Sequence, residues 1–263
     1  ASYNKNKILK LDPALGGEWI SGSYIYREGE NINQFYIREY AGVNPETGAP
    51  QWWKEQEKVQ KDADGKPMKD EKGNPIIVKD ANGNPVMETV PTEKWSEATQ
   101  YAQGDLLPKV YGGFGTTLAW KGLSLSAQFS WVGDRWMVNN DRYFDESNGR
   151  VASYNQSRRM LDRWKEPGDI TDIPRHGVYT EFDSRLLEDA SFLRLKNVML
   201  SYSLPSSMLR KSKFFPSARI YVQAQNLFTF TAFTGIDPEA SGNVYQAQYP
   251  MSRQYSMGVD LTF

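Results

Sequence analysis

The most constraining feature of this chain is the strict alternation of side chains in its last segment, 255–263. Apolar residues take every second position, and the set ends on an aromatic residue: Tyr255, Met257, Val259, Leu261 and Phe263. The residues between them are small or polar. A period of two predicts a β-strand with one apolar and one polar face. Strands of outer-membrane barrels commonly end in this way, so the apolar face is predicted to contact lipid.

Three earlier segments repeat the alternation, at 123–131, 197–204 and 219–225. Their polar positions hold mostly Ser, Gln, Asn and similar uncharged residues. A soluble β-sandwich usually carries many Lys and Glu side chains on its outward face, whereas an uncharged polar face suits the lumen of a wide barrel. The pattern therefore favours a transmembrane barrel, and a soluble sandwich is the alternative.

The connections between the predicted strands alternate in length. The strands are expected at 33–41, 109–120, 123–132, 191–204, 217–229 and 253–263. The shortest connection is the two-residue turn Lys121-Gly122, and the longest segments are 42–108 and 133–190. Barrels of the outer membrane have brief periplasmic turns and long extracellular loops. The predicted fold is therefore all-β, a portion of a large antiparallel transmembrane β-barrel with long extracellular loops and a periplasmic C-terminus.

Composition excludes several other classes of protein. Aromatic residues make up 13% of the chain, which suits the girdles of a barrel. The net charge of −1 argues against a nucleic-acid partner. The absence of cysteine and the single histidine, His176, exclude thiolate and multi-histidine metal sites. No nucleophile stands at a recognisable spacing from a base, so neither an enzyme activity nor a cofactor is predicted.

Several motifs, in a consistent order, resemble the SusC/RagA family of TonB-dependent outer-membrane transporters of Bacteroidetes-type bacteria. The similarity extends over most of the chain outside 54–100. The matching segments are Ser21–Tyr24, Arg27–Gly29, Leu107–Gly113, Arg163–Asp169, Leu187–Val198, Tyr202–Pro205, Gln225–Thr229, Asp237–Glu239, Tyr249–Pro250 and the terminal strand.

The resemblance implies more than the chain contains. Family members are expected to have a plug domain inside a barrel of about 22 strands, preceded by a segment that contacts TonB. At about 9–11 residues per strand, residues 1–263 supply roughly seven or eight strands. We therefore expect the chain to be the C-terminal part of such a barrel, without the plug and N-terminal domains.

The same resemblance implies function and partners. The whole protein is expected to import oligosaccharides or oligopeptides beneath a SusD-like lipoprotein lid, with energy from the TonB complex, and to form a dimer of transporter–lipoprotein pairs. The alternative is a soluble or surface-attached glycan-binding β-sandwich.

Candidate site residues fall into two sets. The terminal strand, Tyr255 to Phe263, is predicted to contact outer-membrane lipid and to direct membrane assembly. Loop aromatic residues are candidates for ligand or partner contacts, although they could instead pack the base of their own loops: Trp52, Trp53, Trp95, Trp136, Tyr143 and Phe144.

Other segments carry weaker predictions. Three similar turn signals begin at Asp62, Asp70 and Asp80 and lack the Gly and Glu positions of an EF-hand, so hairpin tips are predicted there and not a calcium site. Arg210–Lys213 is predicted to be a solvated periplasmic turn, with contact to anionic headgroups as the alternative. In Phe192–Asn197, the charged residues are predicted to share a face that becomes apolar only from Val198 onward.

Overall fold

The computed structural model describes residues 1–151, 153–210 and 214–263, and it is all-β. The first eight strands are β1 (Ser2–Tyr3), β2 (Glu18–Ser21), β3 (Tyr24–Arg27), β4 (Gln34–Arg38), β5 (Tyr40–Val43), β6 (Pro50–Glu57), β7 (Met87–Thr92) and β8 (Gln100–Asp105). The next eight are β9 (Val110–Trp120), β10 (Leu123–Gly133), β11 (Trp136–Asn139), β12 (Leu187–Asp189), β13 (Phe192–Ser203), β14 (Ser217–Thr231), β15 (Val244–Tyr245) and β16 (Gln254–Thr262).

Helical segments are short. The α-helices are α1 (Asn140–Asp145) and α2 (Ser206–Leu209), and single 3₁₀ turns lie at Pro13–Leu15, Trp95–Glu97, Arg158–Asp162 and Ser184–Leu186. Across the described ranges, no helix has both the length and the apolar character needed to cross a bilayer. Lys211–Lys213 of the predicted basic turn lie outside the described residues.

The chain divides into two compact units. The first, called the sheet unit below, comprises residues 1–35, 104–141 and 187–263; the second, called the loop unit, comprises 36–103 and 142–186. The main sheet belongs to the sheet unit and has the strand order β1-β9-β10-β13-β14-β16. All of its neighbouring strands are antiparallel, as predicted.

The register of the main sheet aligns the predicted apolar positions in rows. One row runs through Leu118, Leu125, Leu200, Val222 and Met257, each paired directly with the next. Because successive side chains of a strand point to opposite faces, such a row lies on a single face of the sheet. An adjacent row on the other face carries Thr117, Ser126, Met199, Gln223 and Ser256. The sheet therefore has one continuous apolar face and one mainly polar face.

A β-bulge in β13 overturns the predicted faces of Phe192–Asn197. Gln128 pairs with Asn197 and Phe129 pairs with Leu195, so Lys196 is the extra residue. One extra residue reverses the alternation beyond it. Leu195 consequently shares the apolar face with Leu200, and the charged residue Arg194 lies on the polar face. The prediction that one face changes from charged to apolar at Val198 is therefore wrong.

The prediction of a single barrel strand at 33–41 is also wrong. That segment contains β4 and β5, which lie in two different sheets outside the main sheet. The edge strand next to β9 is instead the two-residue strand β1. Within the described residues the main sheet has six strands, which is fewer than the seven or eight expected.

Smaller sheets complete each unit. In the sheet unit, β12, β11 and β15 form a three-stranded sheet, with β11 and β15 parallel. Beside it lies a buried apolar cluster of Met137, Ala190, Phe233, Ala240 and Tyr245. In the loop unit, β5, β6 and β7 form a second three-stranded sheet. The loops thus have ordered secondary structure of their own.

Candidate functional site

An ion network on the polar face of the main sheet joins β13 to the connection between β14 and β16. The Arg194 side chain is 3% exposed and donates to Asp237 at 2.5 Å, to Glu239 at 2.8 Å and to Thr229 at 2.9 Å. Lys196 pairs with Glu239 at 2.7 Å. A buried charge is tolerated when it is paired and hydrogen-bonded, which is the case for Arg194.

Asp237 is the centre of this network. Besides Arg194, its carboxylate accepts hydrogen bonds from the backbone N–H groups of Glu239 and Met251. Burial raises the pKa of Asp237, but these three hydrogen bonds outweigh burial and leave its pKa below the ordinary value. Asp237 therefore binds two separate parts of the connection between β14 and β16, at Glu239 and at Met251, and its lowered pKa favours the charged form.

Arg135 also binds the connection between β14 and β16. Its guanidinium donates to the backbone carbonyls of Pro238 at 3.0 Å and Ala240 at 2.7 Å. A cavity of about 410 Å³ opens beside the network, and its polar walls include Arg194, Asn226, Thr229, Asp237 and Arg253. This arrangement positions a polar, charged pocket on the side of the sheet opposite the apolar rows.

Trp52 is a core residue of the loop unit. Its ring is 3% exposed, its indole N–H donates to the Asp183 carboxylate at 2.8 Å, and it makes edge contacts with Tyr40 and Trp95. The same carboxylate is fully buried and is bound by Arg185 at 2.7 Å. A ring packed in this way has no face left for a ligand, which favours the alternative that Trp52 packs the base of its own loop.

The other predicted aromatic residues keep partial exposure. Trp53 and Trp95 are half-buried in the loop unit, and the guanidinium of Arg38 lies 4.6 Å from the centre of the Trp95 ring. Trp136 is half-buried in β11 of the sheet unit. These residues stay candidates for ligand or partner contact.

Tyr143 and Phe144 lie together on helix α1 in the loop unit. Their rings are in edge contact at 5.5 Å, and Phe144 also contacts Tyr154 at 5.8 Å. The Tyr143 hydroxyl accepts a hydrogen bond from Arg150 at 2.7 Å. Both residues are half-buried, so the cluster retains accessible aromatic surface.

The three predicted turns form a compact arrangement, which we call the triple-turn segment (58–86). The backbone of Lys58 bonds to Val86, Val86 bonds to Val78, and Val78 bonds back to Lys58, at 2.7–2.9 Å. A second closed set of the same kind joins Gln60, Ile76 and Met68. Three backbone segments therefore meet in two hydrogen-bonded rings.

Each turn of this segment begins with an aspartate that caps it. Asp62, Asp70 and Asp80 each accept two hydrogen bonds from backbone N–H groups two and four residues further on. For Asp70 and Asp80, the backbone bonds from Asn74 and Asn84 are the main cause of a lowered pKa. The carboxylates are thus used as turn caps, as hairpin tips require. No cluster of three or more potential ligands for a metal ion occurs in the described parts of the chain.

The terminal strand pairs with β14 over its whole length and leaves its predicted apolar face open. The exposed fractions are 70% for Tyr255, 84% for Met257 and 59% for Val259, and Leu261 and Phe263 are exposed as well. Large apolar side chains in a contiguous exposed row mark a surface that contacts an apolar medium or partner.

The chain is similar to known proteins both in sequence and in structure. No protein-family model matches the chain. TonB-dependent receptor P3 of Formosa agariphila is 30% identical over 284 residues, an alignment that covers all of this chain and 26% of that receptor. The TonB-dependent receptor SusC of Bacteroides thetaiotaomicron is 30% identical over 77 residues, which cover 29% of this chain.

Solved structures agree with the sequence relatives. A chain of the RagAB peptide transporter superposes with a TM-score of 0.78 and 37% identity over 99% of this chain. The RagAB peptide importer in its closed-closed state gives a TM-score of 0.79 and 38% identity. The chain belongs to the SusC/RagA-like TonB-dependent transporters. It spans about a quarter of the length of these SusC/RagA-like relatives, 26% in the receptor P3 and 26% in the RagAB chain.

Proposed function

We propose that the whole protein imports oligosaccharides or oligopeptides across the bacterial outer membrane and that this chain forms the C-terminal part of its barrel. The observation that carries the proposal is the continuous apolar row across the main sheet, from Leu118 to Met257. A strand that spans the bilayer presents apolar side chains outward and polar ones to the lumen. The terminal strand then contacts lipid and serves in membrane assembly, and the C-terminus is periplasmic.

The partners follow from the family. Energy comes from the TonB complex through an N-terminal part of the whole protein, and a SusD-like lipoprotein covers the extracellular mouth. Two transporter–lipoprotein pairs associate as a dimer. The similar RagAB protein is a peptide transporter, which supports oligopeptides as one substrate class.

A specific observation separates this proposal from a glycan-binding β-sandwich. A sandwich buries the apolar face of one sheet against another. Here Leu200 and Val222, on the inner strands β13 and β14, are 41% and 50% exposed. Side chains on a face covered by a second sheet are buried, so these exposed fractions favour the membrane barrel.

The proposal is tested on the whole transporter in its native host. The protein is tagged, extracted from isolated outer membranes and purified, and co-purified proteins are identified by mass spectrometry. We expect a detergent requirement and a lipoprotein in near-equal amount. Uptake of fluorescent peptide and oligosaccharide mixtures is then measured with and without a functional TonB complex. Uptake that does not depend on TonB, or a protein that stays in solution without detergent, contradicts the proposal.

A further inference from the structure

The loop unit contains a cavity with a basic wall. The cavity measures about 350 Å³, within the size range of small-ligand sites. Its lining includes Arg158, Arg163 and His176 on one side and the apolar side chains of Met160 and Leu161 on another. No Asp or Glu is among its lining residues.

Arg158 and Arg163 differ from the neighbouring Arg159 in their partners. Arg159, the next residue after Arg158, pairs with Glu146 at 2.9 Å and with Asp172 at 2.8 Å. The Arg158 side chain, by contrast, makes no hydrogen bond or ion pair within the described residues. Arg163 donates only to the backbone carbonyl of Met160. A guanidinium has five N–H donors. Most of the N–H groups of Arg158 and Arg163 are therefore available to a ligand in the cavity or to solvent.

The wall is held in place by a buried network. Asn148 is 3% exposed, and its side-chain amide donates to the carbonyls of Arg175 at 2.6 Å and Val178 at 2.8 Å. Those two carbonyls lie on either side of His176, so Asn148 fixes the turn that carries the imidazole. The side-chain oxygen of Gln156, another lining residue, accepts a hydrogen bond from the Asn148 backbone N–H at 3.0 Å. Asn148 therefore joins the part of the lining at Gln156 to the part at His176. A site organised before binding loses less entropy when a ligand arrives.

We infer that this cavity is a binding site for a carboxylate group of an oligomeric substrate, with Arg158 as its main ligand-binding residue and Arg163 and His176 as further donors. An arginine binds a planar carboxylate through two parallel N–H···O bonds. The apolar wall at Met160 and Leu161 then contacts the chain that carries the carboxylate. An acidic oligopeptide and a uronate-containing oligosaccharide share this chemistry. The inference deepens the proposed import function and rests on it.

The test is direct binding to the purified transporter–lipoprotein complex at about 0.15 M salt, where long-range attraction is screened. The probes are a Glu-containing octapeptide with its Gln counterpart, and an oligogalacturonate with a neutral oligosaccharide of equal length. Arg158→Gln is the main variant because the arginine side chain has no partner to lose among the residues that the structure describes. Lys165→Gln is the control: it removes one positive charge from the same loop unit but does not line the cavity.

We expect Arg158→Gln to weaken binding of at least one acidic probe roughly tenfold, the loss of one charge-assisted hydrogen-bond pair, and to leave the neutral probes unchanged. His176→Gln should cause a smaller loss, and Lys165→Gln should have no effect. Whichever acidic probe responds identifies the source of the carboxylate. Equal binding of acidic and neutral probes by the unaltered complex overturns the inference, as does an Arg158→Gln effect matched by Lys165→Gln. Because TonB-dependent uptake is measured separately, a negative binding result leaves the import proposal standing.

Discussion

At the scale of single residues, the sequence indicates which side chains are special but not what they contact. Arg194 and Asp237 both lie in segments that carry the family resemblance, yet they are 43 positions apart and become partners only through the pairing of β13 with β14. Trp52 and Trp53 are adjacent and identical in type, but only Trp52 is buried. Residue type alone cannot show this difference, since it depends on which face of β6 points into the core of the loop unit.

The Arg194 network gives a prediction about stability. Arg194→Met removes the partner of a buried carboxylate and leaves Asp237 charged without its main donor. Breaking a buried pair in this way costs about 3–5 kcal/mol. The free energy of unfolding of the detergent-purified whole transporter measures the effect. Arg253→Met is the control, because Arg253 lines the same cavity without an ion pair in the described part of the chain. Equal losses in the two variants contradict the prediction.

The lowered pKa of Asp237 predicts how stability depends on pH. A carboxylate whose pKa is depressed by folding stabilises the protein above its unfolded pKa, about 3.9 for Asp, and loses that contribution as the pH falls through the folded value. The difference in unfolding free energy between the unaltered protein and Asp237→Asn should therefore be constant from pH 7 to about 5 and shrink below pH 4. A difference that stays constant down to pH 3 shows that folding does not lower the pKa of Asp237 and contradicts the prediction.

At the scale of elements, the period of two predicts strands well and their irregularities poorly. The long strands β9, β10, β13, β14 and β16 lie within two residues of their predicted bounds. The bulge at Lys196 was not predicted, although it does mark the sequence. Apolar residues alternate at Leu193 and Leu195 and resume at Val198, so the alternation is shifted by one residue. The segment 33–41 alternates too, but its partners place it outside the main sheet.

The turn between β9 and β10 gives a prediction at this scale. Lys121 and Gly122 both have positive φ, 45° and 87°, and a Cβ on Gly122 would lie 2.8 Å from the Ser203 carbonyl oxygen. Gly122→Ala should therefore destabilise the whole transporter by more than about 1 kcal/mol. Lys121→Gly should be neutral or stabilising, since glycine adopts positive φ without steric cost. Thermal unfolding in detergent separates the two, and a larger loss for Lys121→Gly contradicts this account of the turn.

The two faces of the main sheet give a matched pair of substitutions. Val222 lies on the apolar row between Leu200 and Met257, and Gln223 is its neighbour on the polar face. If the apolar face contacts lipid, Val222→Lys costs about 2–4 kcal/mol near the bilayer midplane, and Gln223→Lys costs much less. The measurement is unfolding of the whole transporter in lipid vesicles by denaturant. Similar costs on both faces indicate a protein core on each side and contradict a lipid-facing row.

At the scale of the whole molecule, the resemblance predicts the kind of assembly, and the fold shows how the long loops are organised. The sequence shows three similar turn signals, but not that their backbones close into two hydrogen-bonded rings, because those bonds join residues far apart in the chain. The rings make the triple-turn segment self-contained. Its residues are exposed or half-buried, so little of the loop unit depends on it for a core.

This independence allows a sharp test of the lipoprotein partnership. Removal of residues 58–92 would also delete β7, which pairs with β6 from Glu57 to Trp52. Removal of 59–85 with an Asn-Gly turn between Lys58 and Val86 keeps β7, since those two residues are already hydrogen-bonded at 2.7 Å and a two-residue turn suits such a pair. Loops of this size on one side of a membrane are typical of binding surfaces. We therefore expect the shortened transporter to fold normally and to recover less lipoprotein when purified by its tag.

The control for this deletion is substitution inside the segment without loss of its rings. Changing Lys66 and Lys72 to Gln alters two exposed tips and leaves the backbone bonds intact, because neither side chain makes a hydrogen bond within the described residues. If the segment docks the lipoprotein through its shape, recovery is preserved in the substituted protein and lost in the shortened one. If both proteins lose the lipoprotein, the charged tips make the contact. Undiminished recovery from a folded, shortened transporter shows that docking depends on other parts of the loop unit and contradicts the prediction.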